Sequence, residues 1–99
     1  AAGVSRDVPP FALVDGHPAR YVGPNVVGLR RAGLPPATRA ALKRALRRVL
    51  TGPREAACTE LEGDPNAPPE VEELLAFVRA STRGLTRPRR RGAPRPHPA

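Results

Sequence analysis

The chain has 99 residues and a net charge of +8, and 39% of its residues are hydrophobic although only three are aromatic. This length favours one small domain, whose core must consist mainly of leucine, valine and alanine. A single cysteine excludes an internal disulfide and a cysteine-based metal cluster, and it fits a reducing compartment. No apolar run reaches the roughly 18 residues that a membrane-spanning helix needs.

Charge is distributed unevenly along the chain. Residues 1–54 carry ten basic and two acidic side chains, residues 55–86 carry two basic and seven acidic ones, and residues 87–99 carry five arginines. Opposite charge in the first two segments indicates either ion pairing between them inside the domain or an acidic partner for the first one.

The first 24 residues predict short extended segments. Val8-Pro9-Pro10 imposes an extended path, because proline fixes its own φ and restricts the residue before it. Short strands are predicted over 11–14 and 19–22, with turn residues between them. His17 lies in that turn without a second histidine nearby, so we interpret it as a turn residue and not as a catalytic base.

Residues 25–33 predict a short helix. Asn25 can cap its first turn through the side-chain carbonyl, and Gly33 suits the left-handed position after its last turn. Three apolar residues of the stretch can face a core: Val26, Val27 and Leu29. Arg30 and Arg31 fall about one turn into the helix, and guanidinium groups and free N–H groups both favour phosphate. The residues alone leave two interpretations, an anion site or a connecting helix with two solvated arginines.

The strongest helical pattern begins at Pro36, a residue suited to the first helical position, and ends before Gly52-Pro53. Apolar residues with helical spacing form one stripe: Leu42, Ala45, Leu46, Val49 and Leu50. Basic residues cover the rest of the surface: Arg39, Lys43, Arg44, Arg47 and Arg48. This basic surface is either solvated or a docking site for an acidic protein or a polyanion.

Two further helices are predicted, over 54–62 and over 69–81. In the first, Cys58 is expected to pack as a small apolar group. The second has glutamates in its first turn and Arg79 near its end, an order that complements the helix dipole. Its apolar stripe contains Val71, Leu74, Leu75 and Val78.

Residues 87–99 contain five arginines and four prolines but no large apolar residue, so we expect a disordered basic tail. The tail has no aromatic side chains on which bases could stack, and nucleic acid is therefore not an expected partner.

Several of these segments resemble one protein family. Asp7-Val8-Pro9-Pro10-Phe11 and Gly16-His17-Pro18-Ala19-Arg20 resemble the last coil of hexapeptide-repeat acyltransferases. Residues 23–34, 42–45 and 79–87 closely resemble the C-terminal domain of acyl-carrier-protein–UDP-N-acetylglucosamine O-acyltransferases. The most specific blocks are Asn-Val-Val-Gly-Leu-Arg-Arg at 25–31 and Ser-Thr-Arg-Gly-Leu at 81–85. The resemblance covers about residues 3–87.

The resemblance implies a fold and an activity. Members of that family are cytoplasmic trimers of left-handed parallel β-helices, each followed by a helical domain. They move a 3-hydroxyacyl chain from acyl carrier protein to the 3-hydroxyl of UDP-N-acetylglucosamine, the first step of lipid A biosynthesis. We therefore expect a mainly α domain of about four helices over 25–86, preceded by a remnant of a parallel β-helix coil over 1–24 and followed by the tail over 87–99.

The resemblance also assigns site residues. Asn25 and Arg31 fall where the family binds the nucleotide part of its substrate. Val27 and Ala32 stand where some members have a glutamate and a further arginine. The candidates for contact with acyl carrier protein are Arg30, Arg44, Arg47 and Arg48.

The catalytic base of that family is a histidine of the β-helix, which would precede residue 1. We therefore expect this chain to be a fragment, with no catalytic residue, metal or cofactor of its own and no acyl transfer by itself. The alternative is a non-catalytic basic module that binds an acidic protein or a polyanion.

Overall fold

The computed structural model describes residues 6–16, 19–81 and 84–89 of the chain. Within these ranges a two-stranded sheet precedes four helices, which agrees with the predicted mainly α architecture. The elements are β1 (Ala12–Asp15), β2 (Arg20–Pro24), α1 (Val26–Arg31), α2 (Pro36–Thr51), α3 (Arg54–Glu62) and α4 (Pro69–Ala80). None of these described helices is long and apolar enough to cross a membrane.

β1 and β2 form an antiparallel hairpin, in which Ala12 lies opposite Pro24 and Asp15 lies opposite Arg20. The described part of residues 1–24 therefore does not form the parallel coil that we expected. The physical reason is the connection between the strands, residues 16–19, because parallel neighbours need a crossover of about a dozen residues or more. The register shifts between Leu13 and Val14, as it does at a β-bulge.

The last described segment, residues 84–89, pairs in parallel with Asp7 and with Tyr21. The Tyr21 N–H donates to the Arg87 carbonyl at 2.8 Å, and the Tyr21 carbonyl accepts from the Arg89 N–H at 2.9 Å. The predicted tail thus begins with residues that hydrogen-bond to β2. The rest of the tail lies outside the described residues, and its disorder stays a prediction.

The core lies where α2, α3 and α4 meet. α2 buries Leu42, Ala45, Leu46 and Val49, which confirms the predicted stripe, while Leu50 at its margin is half-buried. All four apolar positions predicted for α4 are also buried. Cys58 of α3 is fully buried among these helices, as its expected role as a small apolar group requires.

The prediction that Val26 and Val27 can face the core is wrong. These side chains are 42% and 61% exposed, and Leu29 alone of the three apolar residues in α1 is buried. The reason is the length of the helix. Six residues make fewer than two turns, so α1 presents one apolar position to the core and keeps its first turn at the surface.

Candidate functional site

Asn25 is held at the start of α1 by three hydrogen bonds. Its side-chain Oδ1 accepts from the Gly28 N–H at 3.1 Å, which confirms the predicted cap. Its backbone carbonyl accepts from the Leu29 N–H at 2.9 Å. Its backbone N–H donates to the Phe11 carbonyl at 2.7 Å, which joins the start of the helix to the segment before β1. Both the backbone and the amide of Asn25 are therefore fixed.

Phe11 adopts a backbone conformation that is unusual for its residue type. Its φ is +70°, in the left-handed region where a residue with a side chain is strained by about 1–3 kcal/mol. The Phe11 side chain packs against the core, and its carbonyl receives the Asn25 N–H. Packing and hydrogen bonding together therefore offset the strain and place Asn25 relative to the hairpin.

Gly28 leaves space for the Asn25 amide. A Cβ atom at position 28 would lie 2.7 Å from Asn25 Nδ2 and 3.1 Å from Asn25 Cγ. The amide therefore rests against the bare α-carbon of Gly28, and any side chain there would displace it.

Arg30 and Arg31 lie in the last turn of α1, and both are exposed. Neither guanidinium hydrogen-bonds or forms an ion pair with another residue in the described ranges. Arg31 is three residues beyond Gly28 and so lies beside it on the helix surface. The helix ends before Gly33, whose φ of +76° confirms the predicted left-handed position.

In the basic surface of α2, Arg39 is half-buried and donates to the Leu34 carbonyl at 3.1 Å. The other four side chains divide into two groups. Arg48 forms a two-pronged ion pair with Glu60 of α3, in which Nη1 lies 3.0 Å from Oε1. This pair confirms ion pairing between the two oppositely charged segments. Lys43, Arg44 and Arg47 are exposed, and among the described residues they have no ion-pair partner. Of the four residues suggested to contact a carrier protein, Arg48 is thus already paired internally.

Comparison of the chain with models of known protein families shows which family it belongs to. The model of the family described as UDP N-acetylglucosamine O-acyltransferase, domain 2, matches residues 7–86. The chain belongs to this acyltransferase family. The matched range includes the hairpin, all four helices described above and every predicted site residue.

Individual acyltransferases support the assignment. The acyl-[acyl-carrier-protein]–UDP-N-acetylglucosamine O-acyltransferases of Alkalilimnicola ehrlichii and Azotobacter vinelandii are 45% and 46% identical over 85% and 87% of this chain. The matches cover 33% and 34% of those proteins, so the chain spans about a third of their length. The structures of UDP-N-acetylglucosamine acyltransferases from Bacteroides fragilis and Moraxella catarrhalis match with TM-scores of 0.75 and 0.76. Their identities are 32% and 33%, over 83% of this chain and 33% of theirs.

In this acyltransferase domain, Arg79 makes contacts that the sequence pattern did not predict. Its guanidinium donates to Glu55 at 2.9 Å and also to Glu62, so it joins α4 to α3. These hydrogen bonds, above all the one to Glu62, raise the pKa of Arg79. The sequence predicted only a favourable interaction of Arg79 with the helix dipole. Its two partners, Glu62 and Glu55, lie 17 and 24 positions away and so give no local pattern. A groove of about 330 Å³ beside this cluster is lined by Leu61 and Leu75 among others, and it contains none of the predicted site residues.

His17 lies outside the described residues, and its interpretation as a turn residue stays a prediction. In the part of the chain that the structure describes, no group of three or more histidine, cysteine, aspartate or glutamate residues could hold a metal ion.

Proposed function

We propose that this chain is the C-terminal helical part of an enzyme that moves a 3-hydroxyacyl chain from acyl carrier protein to the 3-hydroxyl of UDP-N-acetylglucosamine. The family match over residues 7–86 carries this proposal, together with the names of relatives that are more than 40% identical. In the proposed protein, residues 1–24 follow the last coil of a hexapeptide-repeat β-helix. The enzyme is a cytoplasmic homotrimer that performs the first step of lipid A biosynthesis.

Within this proposal, Asn25 and Arg31 bind the nucleotide part of UDP-N-acetylglucosamine. Two observations support this assignment. The Asn25 amide is fixed and exposed. The Arg31 guanidinium is unpaired within the described ranges. A planar guanidinium can bind two phosphate oxygens at once. A diphosphate is therefore a suitable ligand group for Arg31, with the Asn25 amide as a second point of attachment.

The chemistry limits what this part of the enzyme contributes. Acyl transfer requires the acceptor hydroxyl to attack a thioester carbonyl, and the hydroxyl proton must pass to a base while the thiol leaves. An amide cannot take up that proton, and arginine stays protonated in proteins. Asn25 and Arg31 therefore bind and orient the acceptor, while a base outside this site removes the proton.

The proposed contact residues for acyl carrier protein are Arg30, Arg44 and Arg47 of the predicted set, with Lys43 added because it lies one turn from Arg47 on α2. These four residues are here called the basic face. These side chains are exposed and have no ion-pair partner among the described residues. Such charges attract an acidic partner over about a Debye length and raise the rate of encounter. Arg48 contributes less to this attraction, because Glu60 neutralises it.

The nucleotide site can be tested by titrating UDP-N-acetylglucosamine into the 99-residue chain and following the backbone amide signals. We expect shifts concentrated at residues 25–31. Arg31→Ala should weaken the binding, and Arg44→Ala is a matched control because it also removes an exposed arginine, in this case from α2. A folded chain without shifts, or equal weakening by both variants, would contradict the proposed site.

A further inference from the structure

We propose that Gly28 is a positioning residue that makes Asn25 a hydrogen-bond donor toward the ligand, an inference that rests on the proposed nucleotide-sugar site. The asparagine amide has an acceptor end, Oδ1, and a donor end, Nδ2. Oδ1 already accepts from the Gly28 N–H at 3.1 Å. Nδ2 donates to no other described residue, and Asn25 is exposed. The end that remains available to a ligand is the donor.

The identity of residue 28 follows from this arrangement. Gly28 lies inside α1 without the positive φ that would itself favour glycine. Glycine inside a helix is less stable than alanine, so helix formation does not explain its presence. A Cβ atom would lie 2.7 Å from Nδ2, closer than non-bonded contact allows. Gly28 therefore provides the space in which the Asn25 amide reaches the cap geometry.

The backbone of Asn25 cannot move away from a larger residue at position 28, so the side-chain amide has to move instead. The Asn25 N–H is held by the Phe11 carbonyl at 2.7 Å, and the Asn25 carbonyl is held by the Leu29 N–H at 2.9 Å. With the backbone fixed on both sides, a side chain at position 28 must turn the amide away, and the cap is then lost.

Gly28 also lies between two groups that bind anionic or polar oxygens. Arg31 lies one helical turn beyond Gly28 on the same side of α1, and the Asn25 amide rests against Gly28 from the other direction. The ligand group bound here is therefore an acceptor oxygen, from a phosphate or a sugar, held between Nδ2 and the guanidinium.

Gly28→Ala in the 99-residue chain tests the positioning role, with Gly63→Ala as the matched control. A Cβ atom at position 63 meets its nearest neighbours at an ordinary 3.6 Å. Without ligand, Gly28→Ala should shift the side-chain amide signals of Asn25 and speed hydrogen exchange at the residue-28 N–H, whereas Gly63→Ala should do neither. Unchanged Asn25 signals in Gly28→Ala overturn the proposal, and this readout does not depend on whether a nucleotide sugar binds.

With UDP-N-acetylglucosamine as the probe, Gly28→Ala should raise Kd about tenfold, the effect of losing one hydrogen bond to a charged or polar oxygen. A Kd equal to that of the Gly63→Ala control overturns the inference. If the wild-type chain itself does not bind, the proposed function fails and the ligand contact fails with it. The ligand-free spectra then still decide whether Gly28 positions Asn25.

Asn25→Ser separates the donor from the cap and remains informative even if Gly28→Ala does not fold. Serine caps helices about as well as asparagine but has no amino group. We expect slow exchange at the Gly28 N–H to persist in Asn25→Ser while Kd rises about tenfold. Wild-type affinity in this variant overturns the assignment of Nδ2 as the ligand contact.

Discussion

The hydroxyl of Ser81 donates a 2.7 Å hydrogen bond to Oδ2 of Asp7, a residue 74 positions earlier in the chain. Asp7 also donates its backbone N–H to the Gly84 carbonyl at 2.7 Å and accepts from the Thr86 N–H at 2.8 Å. The segment before the hairpin is thereby joined to the end of α4 and to the segment that follows it. Because Tyr21 of β2 hydrogen-bonds to Arg87 and Arg89 in the same final segment, these contacts connect the hairpin with the end of α4.

Ser81→Ala is therefore expected to destabilise the whole domain. The hydrogen bond is partly buried and its acceptor is a carboxylate, so its loss should cost about 1–2 kcal/mol. In a domain of this size that corresponds to a fall in Tm of roughly 4–16 °C, which thermal unfolding measures. Thr59→Ala is the control, because the exposed Thr59 hydroxyl bonds only within α3. Equal effects of the two variants would contradict a special role for the Asp7–Ser81 contact.

The helices could be predicted from the sequence because their signals are local. Apolar spacing predicts α3 over the residues that it occupies, and the proline at position 36 marks the start of α2. The Asn25 cap could be predicted for the same reason, since donor and acceptor lie three residues apart. A local pattern was sufficient for these two kinds of feature, because the interacting groups lie close together in the sequence.

The remaining features have other causes. The resemblance to the family implied a parallel coil, whereas the short connection over residues 16–19 allows only antiparallel pairing of β1 and β2. The internal pairing of Arg48 depends on Glu60, which is 12 residues away on another helix. Gly28 and Asn25 are only three residues apart, but the sequence pattern does not specify the direction of the Asn25 amide, which decides whether a side chain at position 28 would meet it. The sequence therefore predicted the Asn25 cap but not the antiparallel pairing of the hairpin, the ion pair of Arg48 with Glu60 or the space that Gly28 leaves for the Asn25 amide.

Tyr21 should make the stability of the domain pH-dependent under alkaline conditions. Burial raises the pKa of its phenol above the ordinary value of 10.0. Above about pH 10, the unfolded chain loses this proton while the folded chain retains it, so the free energy of unfolding falls as pH rises toward the folded pKa. Below the unfolded pKa, the contribution of Tyr21 is fully present and constant.

Tyr21→Phe keeps the ring and removes the ionisable group, so it isolates this effect. Denaturant unfolding of both proteins between about pH 9 and pH 11 should show a steeper loss of stability for the wild type. Every other titratable group is present in both proteins, so its contribution cancels in the difference between the two curves. Parallel stability curves would show that burial of Tyr21 does not affect its ionisation.

Cys58 should be unreactive in the folded protein. Its side chain is fully buried, and this burial raises the pKa of the thiol, although Arg79 opposes the shift. Because the thiolate is the reactive form, modification by an aromatic disulfide reagent should require opening of the core. We expect it to be at least about a hundredfold slower than in denaturant. The double variant Ala56→Cys, Cys58→Ala places the thiol at an exposed position of the same helix and should react rapidly. Similar rates for that thiol and for native Cys58 would contradict the closed core.

A final prediction concerns the basic face and depends on which arginines already form an ion pair within the described residues. Replacing Arg44 and Arg47 together by alanine should weaken binding of acyl carrier protein about fivefold to tenfold at low salt, because both charges are exposed and unpaired in the described ranges. Isothermal titration at two ionic strengths measures the effect. At high salt the difference from the wild type should shrink, since the Debye length falls to about 3 Å at 1 M.

Arg48 is unsuitable for this test, because its removal would also break the ion pair with Glu60 and leave that carboxylate unpaired. A better control is Ala37→Glu with Ala56→Glu, two exposed positions outside the basic face that lower the net charge by the same two units. If long-range attraction to the total charge of +8 governed binding, the control would weaken it as much as the double alanine variant does. A loss confined to Arg44 and Arg47 therefore identifies the basic face itself as the contact, whereas equal losses contradict it.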